Sequence, residues 1–304
     1  MVDGVDEEAL DLIPIEEESL DFFAMFREGV PVRNTTLAAF IQTLQPYASV
    51  AQSDLLLGIF KAAPELVAEY SFRRRNYNFD PKSTPAWMGF AAFLYSTVQL
   101  PVPAFCGRRD GFDPQPPAVC IVIENILPQP LTQKILMRCL HHSEDVVTFF
   151  ALRLLIVAFQ KLENVRAVFQ TAVAQGFTRY REASSKLVWE FCRRCPSMRD
   201  VITVYRGIPD SEPPQREAAA KLLTLYYKII PSVAYDEKLD VSIPLLAVLS
   251  RITTPEQHEI VPKLQLLELE HLLHIATASP NMQWWHKSGR LTLDSHFLSV
   301  WGTS

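Results

Sequence analysis

Glycine is what this chain most conspicuously lacks: ten stand among 304 residues, against 22 prolines. Gly-rich phosphate loops and tight β-hairpins both use positive-φ positions that glycine fills at least steric cost, so both are disfavoured. Helices punctuated by short proline stops fit the balance better. No G-x-x-x-x-G-K-[ST], G-x-G-x-x-G or G-x-S-x-G motif occurs. The five cysteines (Cys106, Cys120, Cys139, Cys192, Cys195) are an odd number. The N-terminus is acidic where a secretory signal would be basic, so free thiols in a reducing compartment are expected. Long apolar runs are missing too. DVVTFFALRLLIVAF (145–159) is interrupted by Arg153 and falls short of the ~20 apolar residues of a membrane span. It reads as a buried helix of a soluble protein.

Basic residues are absent from the first 21 positions, which carry nine acids. The rest, 22–304, holds 25 acids against 29 bases, a net of +4 behind an acidic leader. That balance permits an RNA partner but is far from the strongly basic footprint of an autonomous nucleic-acid binder.

What is present is helix after helix. EEESLDFFAMFREG (16–29) has acids in its first turn, a broad face of Leu20, Phe22, Phe23 and Phe26, and Gly29 as a stop. Further helices are predicted over 35–44, over 53–75 with a bend at Pro64, and over 86–100 behind a Thr84 cap and Pro85. PVPAFCGRRDGFDPQPP (101–117), with five prolines, is a loop. Segments 117–127, 131–142, 144–165 (capped by Ser143), 181–195, 197–205, 215–230, 242–252 and 254–279 continue the series. The last opens on a capping-box pattern from Thr254 to Gln257. CIVIENI (120–126) is the one place where a strand is arguable. Apolar-all-round helices must be sandwiched between neighbours, and no fixed-period repeat is visible. The expected fold is therefore an all-α, HEAT/armadillo-like helical-repeat solenoid spanning 22–304 as one domain, with residues 1–21 as a flexible or docking leader.

Candidate chemistry is thin. CRRC (192–195) has redox or zinc spacing, but no second ligand pair lies near, and it ends a helix before Pro196 where thioredoxin-like motifs begin one. Two unlinked thiols are the expectation. In EHLLH (270–274), His271 and His274 stand three apart, so the zincin spacing fails, and Glu270 with His274 makes an ordinary i,i+4 pair. Acid pairs such as Glu268 and Glu270 look unremarkable on a polar-faced helix. No nucleophile, base and oxyanion arrangement assembles, so neither an enzyme nor a cofactor or metal is expected.

Two stretches carry a different signal. SFRRRNYNF (71–79) sets Arg73, Arg74 and Arg75 among aromatics, including Tyr77. Cations at a helix end complement its dipole, which explains them without RNA. The other reading is a cationic strip, joined by Arg108, Arg109, Arg193 and Arg194, that holds phosphates while aromatics stack on bases. WWHKSGRL (284–291) offers Trp284, Trp285, His286, Lys287 and Arg290 either to a packed seam or to the same kind of recognition. Both readings stand at this level.

Longer blocks are more particular. YNFDPKSTPAWMGFAAFLYSTVQLPVP, PPAVCIVIENILPQPLTQKIL, KLLTLYYKIIPSVAYDEKLDVSIPLL and LELEHLLHIATASPNMQWWHKSGRLTL resemble the fungal nucleolar pre-ribosomal-associated (Npa/Urb) proteins, in their N-terminal ribosome-biogenesis domain. The blocks run from about Asn76 to Leu293, with the leader outside them. The resemblance implies a non-catalytic scaffold in the nucleolus, acting on the earliest large-subunit precursor. It implies as partners other assembly factors including a DEAD-box helicase, pre-ribosomal RNA and small nucleolar RNA, with no membrane. It also implies that the chain is a fragment of a larger protein. The competing expectation is a protein-interaction solenoid, of adaptor or transport type, with no direct RNA contact.

Overall fold

A computed structural model of the chain describes residues 32–73, 79–108, 110–237, 239–252, 260–280 and 282. Thirteen α-helices and one 3₁₀ turn occupy them, and no strand occurs among the described residues. The chain divides into two compact units, Met1–Ser197 and Met198–Ser304.

The first unit opens with α1 (Thr35–Ile41), where the Asn34 side chain accepts from the Leu37 N–H at 2.8 Å. Next come α2 (Val50–Ala62) and α3 (Glu65–Arg73). The single bent helix expected over 53–75 is in fact two. Proline disfavours helical φ/ψ in the residue before it, and Ala63 accordingly takes φ −137°, ψ 80°. Helix α4 (Pro85–Gln99) starts as the sequence indicates, with the Thr84 hydroxyl accepting from the Trp87 N–H at 3.3 Å. The Pro-rich stretch holds a 3₁₀ turn at Ala104–Gly107, with Phe105 and Cys106 at φ 48° and 55°.

CIVIENI is helical, not extended: α5 spans Val119–Ile126. Its Asn125 amide donates to the Ile121 carbonyl at 2.9 Å and to the Pro64 carbonyl at 3.1 Å, tying the helix to the start of α3. Packing against α3 outweighs the β-branched preference. After α6 (Gln133–Leu140) comes α7, Asp145–Ala174, thirty residues long. Glu144 and not Ser143 is its cap residue, and it makes no side-chain cap bond. Neighbours α4, α5, α6 and α8 (Arg179–Arg194) all pack on α7, which is why it is apolar nearly all round.

Phe60, Tyr70 and Phe93 form an edge-packed cluster with centroids 5.6–6.2 Å apart. Beside it, Gly89 sits inside α4 against the Tyr47 carbonyl, where an added Cβ would lie 2.8 Å from that oxygen. Gly89→Ala should therefore destabilise by about 1–3 kcal/mol despite alanine's better helix propensity. Urea denaturation checks this, and a gain in stability would refute the close approach.

The second unit contains α9 (Met198–Gly207), α10 (Pro213–Ile229), α11 (Pro231–Asp236), α12 (Ser242–Ile252) and α13 (Ile260–Ala278). Ala218, Ala219 and Ala220 on α10 are wholly buried, and small side chains let helices approach closely. The helix expected over 16–29 and the capping box at Thr254 lie outside the described residues.

Candidate functional site

The predicted cationic residues divide by where their guanidinium groups go. Arg73 ends α3, its Nε 2.8 Å from Glu69, with 55% of its side chain exposed. Arg108 is exposed and paired with Asp113. Arg193 donates twice to Glu190, at 2.9 and 2.7 Å, and its guanidinium lies 5.9 Å from the centroid of the half-exposed Trp189 ring. Arg74, Arg75, Tyr77, Arg109, Trp284, Trp285, His286, Lys287 and Arg290 lie outside the described residues.

Arg194 points the other way. Successive helix residues are about 100° apart, so the CRRC pair presents one arginine outward and one inward. The buried Arg194 donates to Glu190 at 2.9 Å, to Glu124 of α5 at 2.6 Å and to the Leu127 carbonyl at 3.0 Å. It bolts α8 to α5. Burial opposes its charge, yet Glu124 and Glu190 outweigh burial and raise its pKa. Burial likewise opposes the Glu190 carboxylate, but Arg193 and Arg194 prevail and hold it below the usual range.

A second junction, unannounced by any motif, lies in the other unit. Glu268 of α13 is 1% exposed. Its Oε1 accepts from the Tyr205 hydroxyl at 2.8 Å and Arg216 Nε at 3.0 Å, and its Oε2 accepts from Arg251 at 3.3 Å. Arg216 also reaches the Ile208 carbonyl at 2.9 Å and stacks 5.0 Å from the Tyr205 ring centroid. Asp210 bridges Arg216 and Arg251 from the more exposed side, at 3.3 and 3.0 Å. Burial, then Glu268, push the Tyr205 hydroxyl pKa up. The sequence did carry a signal. Buried Gln265, Glu268, Leu272, Ile275 and Ser279 recur at three- and four-residue steps, placing Glu268 within the inward stripe.

The third feature is a cavity of about 470 Å³ within the first unit. Its floor is Lys161, Val165 and Phe169 of α7 with Tyr180 of α8, all buried, while exposed Arg33 and Arg108 stand at its mouth. Lys161 is 6% exposed, and its hydrogen bond goes to the Thr97 carbonyl at 3.4 Å. Burial pushes its amine pKa down to about 7.

The CRRC thiols are free, and burial raises both, Cys192 to about 11. That is opposite to what a thiolate nucleophile needs. His274 lies 3.9 Å from Glu270 on an exposed face, and His271 is 3.4 Å from Glu217. No cluster of three His, Cys, Asp or Glu capable of holding a metal exists among the described residues. No described helix is long and apolar enough to cross a membrane.

The architecture thus defines a class: an all-helical protein whose buried arginine–carboxylate junctions fasten helices to one another. Residues 9–90 match the family model described as "Npa1: Ribosome 60S biogenesis N-terminal". The chain is 32% identical over 168 residues, 55% of its length, to "Nucleolar pre-ribosomal-associated protein 1" of Saccharomyces cerevisiae. The resemblance read from the sequence is thereby borne out: the chain is similar, over residues 9–90, to the N-terminal ribosome-biogenesis region of that family and, over 168 residues, to a nucleolar pre-ribosomal-associated protein. The match begins inside the acidic leader, which the conspicuous sequence blocks had left out. The aligned segment spans 9% of the relative's own length. No solved structure matches.

Proposed function

We propose that the chain works in early 60S ribosome biogenesis as a non-catalytic scaffold in the nucleolus. On this reading it holds pre-ribosomal RNA and assembly factors together, small nucleolar RNA and a helicase among them. The observation that carries the reading is the family match over residues 9–90, together with the pre-ribosomal name of the relative. A HEAT/armadillo-like stacking of the helices would supply the extended surfaces that scaffolding requires.

The RNA-facing side is assigned to cations that reach solvent. Arg73 and Arg108 are more than half exposed, and Arg193 with Trp189 offers a guanidinium beside an indole, a pairing suited to phosphate and base. Arg74, Arg75, Tyr77, Arg109 and the 284–290 cluster extend the proposal. Arg194 is left out, because its donors are spent on Glu190, Glu124 and Leu127.

A salt titration of the purified chain against structured pre-ribosomal RNA tests this reading. Changing Arg73, Arg74 and Arg75 together to Glu should weaken binding at least tenfold near 0.1 M salt. It should also reduce the log–log salt slope by up to ~3, about one per lost phosphate contact. An unchanged slope would remove that strip from the interface.

A second reading, protein docking without RNA, draws on α13, where Leu266, Leu267 and Leu273 are 52%, 42% and 37% exposed. Absence of any RNA binding by the wild-type chain would favour it.

A further inference from the structure

We propose that the cavity of the first unit is a binding site for a small apolar monocarboxylate, with the Lys161 amine receiving its carboxylate. This goes beyond the assembly role and does not depend on it. An ammonium carries three N–H donors and normally meets a carboxylate or several acceptors when buried. Here one carbonyl, Thr97, lies at the long end of hydrogen-bond distance, 3.4 Å. No carboxylate pairs with Lys161 among the described residues. Of the acids lining the cavity, Asp113 is engaged by Arg108, and Glu65 stands half-exposed at the start of α3. Lys161 is nevertheless 6% exposed and lines the space itself. A donor is therefore held at the bottom of a hole with no anion to meet it.

The remaining walls define the rest of the ligand. Pro103, Phe105, Pro117, Val165 and Phe169 supply an apolar lining, and the volume lies in the ~300–1,000 Å³ range of small-molecule sites. The floor has one cation, the others being at the exposed mouth, which selects a single negative group over a phosphate. Phe105 and Cys106, held at positive φ, form one wall, and such conformations concentrate at ligand clamps. Burial of the amine, with its pKa near 7, adds that a carboxylate would favour a charge that burial alone disfavours.

Calorimetric titration of the full chain with decanoate and with decan-1-ol tests the assignment. The two share an apolar body and differ in the carboxylate. Wild type should bind decanoate saturably at one site, at least tenfold tighter than the alcohol. Lys161→Met should lose that tenfold while leaving the alcohol's affinity unchanged. A second readout needs no variant: acetylation of Lys161 by an amine-reactive ester, followed by mass spectrometry, should slow at least fivefold with decanoate and not with decan-1-ol. Equal affinity for the two ligands, binding at many sites, no saturable binding, or unaltered Lys161 labelling would each overturn the proposal.

Discussion

Replacing Lys161 by methionine is expected to stabilise the protein, by about 3–4 kcal/mol near pH 7. Lys161 is buried in α7 with a single distant acceptor, and burial lowers its pKa from 10.5 to about 7. Methionine keeps the unbranched shape and needs no partner. The sign of the pH dependence follows from which state holds the proton. Below about 7 the amine is protonated in both folded and unfolded chains, so stability has no slope from this group. Between about 7 and 10 the unfolded chain keeps a proton that the folded chain releases, so wild-type stability rises with pH. The methionine variant lacks that rise. Its advantage should be largest at about pH 6 and nearly gone at about pH 10. Urea titrations of both proteins at the two pH values measure it. A variant less stable than wild type at the lower pH would mean that the amine is well solvated or paired where it stands.

The reverse outcome is expected at Glu268. Glu268→Ala should cost about 3–5 kcal/mol, because it strips a shared acceptor from Arg216, Arg251 and Tyr205 and leaves buried cationic surface unpaired. Glu268→Gln, which keeps the shape and one acceptor oxygen, should lose roughly half as much. Combining Glu268→Ala with Arg251→Ala should cost less than the two single changes added together, since each removes the other's partner. Chemical denaturation of the four proteins supplies the cycle. A loss below ~1 kcal/mol for Glu268→Ala would show that water takes over the role of the carboxylate.

Helix identity was legible wherever local chemistry and burial agreed. Thr84 followed by Pro85 set a start that packing had no reason to move, and 242–252 was read to the residue. Failures came where tertiary contact overrode a local signal. Ser143 resembles a cap, but α7 begins two residues later and runs nine beyond the expected end, to Ala174, because the face of Phe169 and Ala172 continues into the core. Segment 117–127, by contrast, was read as helix despite the strand-like residues of CIVIENI, and the distant Pro64 carbonyl and α3 show what holds it in that form. For the candidate sites, charge was visible and direction was not. Arg193 and Arg194 are equivalent in sequence, and their opposite fates depend on Glu124, seventy positions away. Lys161 was hidden for a similar reason. One lysine near the end of an apolar run looks like a helix surface until the hole beside it is known.

The convergence on Glu268 also bears on how the second unit comes apart. Tyr205, Arg216 and Arg251 belong to α9, α10 and α12, so lifting α13 away strands donors on three helices at once. No one of these four can peel off as a loose arm while the others stay seated. Their innermost amides should exchange with deuterium at a common slow rate, as one cooperative set and not helix by helix.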